Sequence, residues 1–155
     1  MTLDCEFYFE ARPSIQLPPG QWCPFNSQTT WWWPDAYPLL YLPSFCSFRM
    51  TDIWRGFVAQ RCLWELGAGL VFHPPEVIQQ RNVHNLQRDF DDEVPGYVGN
   101  DRLVAALQAL DLEPGVAGVG RNLLKCYECL VAENLIPNDE LPLVNSWLED
   151  LDGLS

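Results

Sequence analysis

The sequence changes character once, near residue 50, and that change limits the possible folds more than any other feature. Before it, Pro13, Pro18, Pro19, Pro24, Pro34, Pro38 and Pro43 interrupt residues 11–47. Each proline fixes φ and removes a backbone donor, so neither a long helix nor a central strand can cross this stretch. After it, Ile53, Trp54, Phe57, Val58 and Trp64 recur at helical spacing. A loop as long as 11–47 inside a domain is either functional or poorly ordered. Its aromatic content argues against disorder. The run Trp31-Trp32-Trp33 would be costly to leave in water, so it packs on something or binds something.

The remaining punctuation divides the chain into elements. Residues 4–10 read as a short strand. Thr51 and Asp52 are good helix-start residues, and the apolar periodicity from there runs up to Gly67. Gly69–His73 reads as a buried strand stopped by Pro74-Pro75. A second helix is expected from about Pro75, with proline in its first turn, to Arg88. Pro95-Gly96 reads as a turn, as do Pro114-Gly115 and Pro137-Asn138. Between and after them, helices are expected from Asn100/Asp101 to near Asp111, from about Val119 to Asn134, and from about Asp139 to Asp150. The expected class is therefore α-rich α/β. Residues 1–98 mix strand, loop and helix, and 99–155 form a helical packing unit of the same domain. At 155 residues and 48% apolar, the chain has material for one real core.

Charge and cysteines exclude several function classes. The formal net charge of −12 repels phosphate backbones, so nucleic acid and anionic membrane surfaces are poor partners. Arg49, Arg55, Arg61, Arg81 and Arg88 nevertheless cluster within forty residues. A small anionic ligand would bind there, unless these arginines are solvated or paired with nearby carboxylates. The six cysteines lack the dense spacing of a disulfide miniprotein. Cys126 and Cys129 share a helix face at i, i+3 and read as core, not as a redox or zinc pair. The acidic start Met1-Thr-Leu-Asp-Cys-Glu does not read as a signal peptide, and no stretch is apolar enough to span a membrane.

Three constellations could carry chemistry. Asp52 falls at a helix start just after the aromatic loop, where a carboxylate either caps the helix or faces a cleft and takes a proton from a hydroxyl. Arg55, at i, i+3, would hold it in place, and Arg55 and Gln60 are polar members of an otherwise apolar helix. His73 and His84, the two histidines of the chain, flank one turn and are candidate ligand or metal contacts. Asp89-Phe90-Asp91 has the D-x-D spacing that can hold a divalent metal. It follows a polar helix and not a buried strand, however, and so reads as a solvated acidic turn. Asp150-Leu151-Asp152 reads as a frayed end.

Pro24-Phe25-Asn26-Ser27-Gln28-Thr29-Thr30, Leu39–Pro43, and the block from Phe48 through Thr51-Asp52-Ile53-Trp54-Arg55 to Gln60-Arg61 closely resemble the C-terminal domain of STELLO proteins. Those are Golgi membrane proteins of plants, regarded as glycosyltransferases. The resemblance covers roughly residues 22–90. It implies the second half of a GT-A-like fold, a partial domain in which short strands and a Pro/Trp-rich loop precede a helical unit. It further implies Asp52 as catalytic base or acceptor anchor, with Arg55 supporting it. On the substrate side it places Asn26, Gln28, Trp31, Trp32, Trp33, Arg49, Gln60 and Arg61, with the tryptophans stacking on sugar rings. His84 or His73 would join a divalent metal, manganese or magnesium. Fewer than 24 residues precede the shared block. A GT-A donor site needs βα units and a strand-borne D-x-D upstream. The expectation is thus an acceptor-side half that meets a glycan or protein acceptor, and meets a sugar nucleotide only with an N-terminal half. A Golgi location would follow if it belongs to a longer membrane protein. The alternative, from a different class, is a non-catalytic interaction module using the tryptophan loop and the helical half as a docking surface.

Overall fold

Helix α1 (Thr51–Glu65) is the element around which the others pack. The computed structural model of the protein describes Glu10, residues 12–77 and residues 83–153. The strand expected at 4–10 lies outside these residues apart from Glu10, as do Gln79, Gln80 and Arg81. Every residue of α1 from Trp54 to Cys62 is buried. Trp54, Phe57, Val58 and Cys62 supply its apolar contacts, and each large apolar side chain buried this way contributes about 1.5–3 kcal/mol. Its neighbours are a 3₁₀ turn at Pro34–Leu40, helix α2 (Leu86–Gln108) and helix α3 (Val119–Ala132). Helix α4 (Glu140–Asp152) covers the other side of α3 and the 3₁₀ turn. One core results, in which Leu39 and Phe57 from the first part of the chain meet Leu103, Leu107, Leu123, Leu130 and Val144 from the second.

The helices expected after residue 115 form close to their expected bounds, because α3 and α4 each carry an apolar stripe and follow a turn. Asp150 and Asp152 belong to the last turn of α4, where a frayed end had been expected. The larger correction concerns α2. Residues Pro75–Val77 and Val83–Asn85 are not helical, and a single helix of 23 residues runs from Leu86 straight through Pro95-Gly96. Asn85 caps its start, accepting from the Arg88 N–H at 3.2 Å. Asp89, Asp91 and Asp92, expected in a turn, lie on its first turns. A proline inside a helix forfeits the bond to the carbonyl four residues back. Beside that carbonyl, Asp92 O accepts the Ser47 hydroxyl. Packing accounts for the rest. Gly96 is buried against Met50, whose sulfur occupies the space a Cβ would need, and Trp54 Nε1 donates to Asn100 Oδ1 at 3.0 Å one turn further on.

The sheet is small. Strand β1 (Ile15–Leu17) pairs antiparallel with β2 (Leu70–Phe72), in the register Ile15–Phe72, Gln16–Val71 and Leu17–Leu70. The strand expected at Gly69–His73 exists but is not buried. Val71 and Phe72 are 53% and 39% exposed, because no helix among the described residues packs closely over this two-stranded ribbon. Gly69 is required where it stands, since a Cβ there would collide with the Leu17 carbonyl oxygen.

A buried carboxylate joins the two parts of the chain. Glu140, in the first turn of α4, is 0% exposed. It accepts the Tyr41 hydroxyl, the Ser44 N–H at 2.9 Å and the Phe45 N–H at 2.8 Å. Three donors and the positive end of a helix replace the water it has lost. Burial first, then Glu140 beside it, pushes the Tyr41 phenol well above its ordinary value. Nearby, burial and the charges of Glu140 and Asp52 push the Cys46 thiol up to about 12. Replacing Glu140 with Leu should strand all three donors and cost about 3 kcal/mol or more in urea unfolding. Glu140→Gln, which keeps one accepting oxygen, should lose clearly less.

Candidate functional site

Residues 22–33 run along α1 and are fastened to it by side chains that the helix would otherwise have to bury unsatisfied. Gln60 is 1% exposed and behaves like a strand of backbone. Its Oε1 accepts the Cys23 N–H at 2.9 Å, and its Nε2 donates to the Cys23 carbonyl at 2.8 Å and to Gly56 O at 3.0 Å. Trp22 packs its ring on Trp64, centroids 4.4 Å apart, and on Phe57. One turn earlier, Arg55 is 2% exposed. Its guanidinium lies 4.8 Å from the Trp32 ring centroid and 5.6 Å from that of Phe25. Such contacts stabilise a desolvated cation.

Asp52 and Arg55 meet through the loop between them. Asp52 Oδ2 accepts the Ser27 N–H at 3.1 Å, and Arg55 Nη2 donates to Ser27 Oγ at 2.8 Å. The expected direct hold of Arg55 on Asp52 is therefore replaced by a bridge through Ser27. Nor does Asp52 cap α1. Met50 occupies the cap position without a side-chain bond, and Thr51 Oγ1 turns back to Phe48 O at 2.9 Å. Arg55 has no carboxylate within ion-pair distance among the described residues, and its Nε is buried without a partner. Burial lowers its pKa, and the negative charge of Asp52 opposes that shift. The loop itself is tight. Thr29 has φ 51°, a left-handed conformation rare for a β-branched residue, and Thr30 Oγ1 donates to Asn26 O at 2.9 Å.

The other expected site residues fall into three groups. Trp32 joins the Arg55 cluster, while Trp31 and Trp33 are 80% and 70% exposed on either side of it. Asn26 and Gln28 are exposed on the loop, where their carbonyls serve Thr30. Gln60 and Arg61 face inward. Arg61 donates from Nε to Leu107 O at 3.0 Å and from Nη2 to Leu110 O at 2.6 Å, closing the C-terminal end of α2, and pairs with Glu65. Arg49, from the 3₁₀ turn before α1, and His84, just before α2, form a separate surface cluster with Asp89 and Glu93 of the first turns of α2. Arg49 pairs with Asp89 and lies 4.0 Å from Glu93. His84 Nδ1 stands 3.1 Å from Asp89 Oδ2 and 3.2 Å from Arg49 Nη2. His73 is elsewhere, with its Nδ1 2.9 Å from Ser14 Oγ. Among the described residues, no three His, Cys, Asp or Glu side chains are grouped to hold a metal. A guanidinium already neutralises the Asp89–His84 pair, so that donor set does not suit a divalent cation.

Sequence reasoning did not assign Ser27 or Phe25 to the site, and it missed Glu140. Ser27 lies in the Pro24–Thr30 stretch singled out above, but its two contacts are to residues 25 and 28 positions away. Nothing local marks it.

Comparison with known proteins bears on the same region. The family described as STELLO glycosyltransferases matches residues 49–155. The chain is 35% identical over 100 residues to probable glycosyltransferase STELLO2 of Arabidopsis thaliana, covering 64% of this chain and 13% of that protein. It is 30% identical over 146 residues to probable glycosyltransferase STELLO1 of the same plant, covering 92% of this chain and 18% of that protein. The second match takes in both the Asn26–Thr30 loop and α1. The chain thus spans less than a fifth of the length of these curated relatives.

Two tests follow from the geometry. Gln60→Leu keeps the volume but leaves the Cys23 N–H and C=O unpaired. It should cost about 2 kcal/mol in urea unfolding and speed hydrogen exchange at the Cys23 amide. For Asp89, the hydrogen bond and charge of Arg49, with a smaller contribution from His84, hold the carboxyl below its usual range. Its folded pKa therefore lies below the unfolded value of about 4. The stability it contributes is complete above that value and is lost as pH falls through the lowered one. Urea midpoints between about pH 5 and 2 should fall less steeply for Asp89→Asn than for the parent protein.

Proposed function

Since the chain belongs to the STELLO glycosyltransferase family, we propose that it forms the acceptor-facing part of a sugar-transferring protein, with Asp52 as base or anchor for an acceptor hydroxyl. The observation carrying this reading is the state of the Asp52 carboxylate. It sits half-buried at the first turn of a buried helix, fixed through Oδ2 by Ser27, while Oδ1 has no partner among the described residues. A carboxylate held by one oxygen and open at the other can take the proton of an acceptor hydroxyl as the hydroxyl oxygen bonds to the anomeric carbon of a donor sugar and the bond from that carbon to the donor's leaving group breaks. Arg55 holds the Ser27 loop against α1, and the exposed rings of Trp31 and Trp33 suit the apolar face of a pyranose.

The sugar-nucleotide site, in this reading, belongs to other parts of a longer parent. In support, the sheet among the described residues is a two-stranded antiparallel ribbon, not the parallel βα units on which such sites are built. Among the described residues, neither His84 nor His73 lies in a donor set that suits a divalent metal. No helix among the described residues is long and apolar enough to cross a membrane.

A second reading, a non-catalytic docking module, is favoured by one observation: Trp31, Trp33 and Phe48 are 80%, 70% and 83% exposed. Asp52→Asn in a full-length parent separates the two. The amide still accepts from Ser27, so folding and urea midpoint should be unchanged, while sugar transfer should fall about 100-fold or more. Full transfer by a folded variant would remove Asp52 from the mechanism. Replacing Trp31 and Trp33 with Ala should weaken acceptor binding if the rings stack on sugar. Loss of protein association with intact transfer would favour the module.

A further inference from the structure

Ser27 links the two charged groups of the site, and its hydroxyl has a bond left to make. The N–H of this residue is committed to Asp52 Oδ2 at 3.1 Å, and its Oγ accepts from Arg55 Nη2 at 2.8 Å. A serine hydroxyl carries a proton as well as lone pairs. Among the described residues that proton is donated to nothing, and Asp52 Oδ1 accepts nothing. One residue thus presents an open donor and its neighbour an open acceptor, with the pair locked together through the Ser27 backbone. Ser27 is exposed and Asp52 half-buried, so both are within reach of a ligand.

Arg55 gives this arrangement a direction. It is 2% exposed, forms no ion pair among the described residues, and has a buried Nε without a partner. A buried cation is costly unless its donors are used, and the one side-chain hydrogen bond it makes among the described residues runs to Ser27 Oγ. A charged donor on a hydroxyl oxygen polarises it and makes the O–H a stronger donor in turn. The rings of Trp32 and Phe25 hold the guanidinium in place, and the Thr30 bonds to Asn26 O and Gln28 O fix the loop that carries Ser27.

We propose that Ser27 and Asp52 bind a single hydroxyl of a pyranose between them. Ser27 Oγ–H donates to the hydroxyl oxygen, and Asp52 Oδ1 accepts the hydroxyl proton. Arg55 is a positioning residue that acts through Ser27. The inference rests on the acceptor-site reading and deepens it, naming the recognised group as a sugar hydroxyl and Ser27 as the residue that recognises it. A site built on a paired donor and acceptor discriminates strongly against a ligand lacking the hydroxyl, because both groups are then left unpaired.

The test uses the isotope-labelled 155-residue chain titrated with methyl glucopyranoside, methyl mannopyranoside and methyl galactopyranoside, with tetrahydropyran as the hydroxyl-free control. At least one pyranoside should move the Ser27 amide and Arg55 Nε–H resonances saturably, and tetrahydropyran should move neither. Ser27→Ala should weaken binding about tenfold, and Ser27→Thr, which restores the hydroxyl, should return it to within about threefold. If Ser27→Ala loses its folded spectrum, Asp52→Asn replaces the accepting oxygen and should weaken binding to a similar degree. Failure of all three sugars to shift these resonances would overturn the inference, as would unweakened binding by folded Ser27→Ala or Asp52→Asn. Its failure is distinguishable from that of the transferase reading. Pyranoside binding that needs Ser27, together with full transfer by the Asp52→Asn parent, sustains this inference and sinks the catalytic one. Lost transfer without any pyranoside binding does the reverse.

Discussion

A helix buried around its whole circumference cannot leave a polar side chain unanswered, and α1 carries three: Arg55, Gln60 and Arg61. Each solves the problem by gripping a different segment. Gln60 takes both backbone groups of Cys23, Arg61 takes the carbonyls of Leu107 and Leu110, and Arg55 takes the hydroxyl of Ser27. The apolar face of α1 supplies the driving force for burial. These polar bonds decide what it is buried against, since an unmade buried hydrogen bond costs more than a made one contributes. The proline-rich stretch, which cannot form regular structure of its own, acquires a defined path because α1 holds it at Cys23 and Ser27.

Glu140 plays the matching part from the other end of the chain. Its carboxylate organises Tyr41, Ser44 and Phe45, which directly precede the turn into α1. Tyr41 in turn stands edge-on to Tyr127 of α3, ring centroids 5.2 Å apart. The loop before α1 is therefore fixed on one side by α1 itself and on the other by α4. The candidate site lies where this double restraint positions Asp52 and Ser27. A catalytic or binding carboxylate needs such support, because geometry loose by an ångström forfeits most of its effect.

Much of the helical scaffold was legible. The apolar spacing of α1, α3 and α4 and the turns before them depend on neighbours in sequence, which one chain displays. The second half of α2 was legible as the helix expected from Asn100/Asp101, but its continuity back to Leu86 was not, because Pro95-Gly96 is a turn signal whenever only local preference acts. Here Met50 fills the space beside Gly96, and Trp54 holds Asn100, so packing overrides the cost of an interior proline. The polar residues were legible as a set and not as an arrangement. Asp52, Arg55 and Trp32 stand out as odd residues in odd places and do come together. Gln60 and Arg61 stand out for the same reason but face inward, and Arg49 and His84 gather around Asp89 instead.

Taken by itself, the sequence determined the proline-rich loop followed by helices, the acidic charge that disfavours nucleic acid, and the family to which the Thr51-Asp52-Ile53-Trp54-Arg55 block points. These follow from residue type and short spacing, which act along the chain. Only the tertiary structure decided that Asp52 and Arg55 meet through Ser27, that one carboxylate oxygen stays open, and that Glu140 is buried. Those facts depend on hydrogen bonds between residues 25 to 99 positions apart. Such partners are chosen by the cost of leaving a buried polar group unpaired, and that cost arises only once the chain has closed around it.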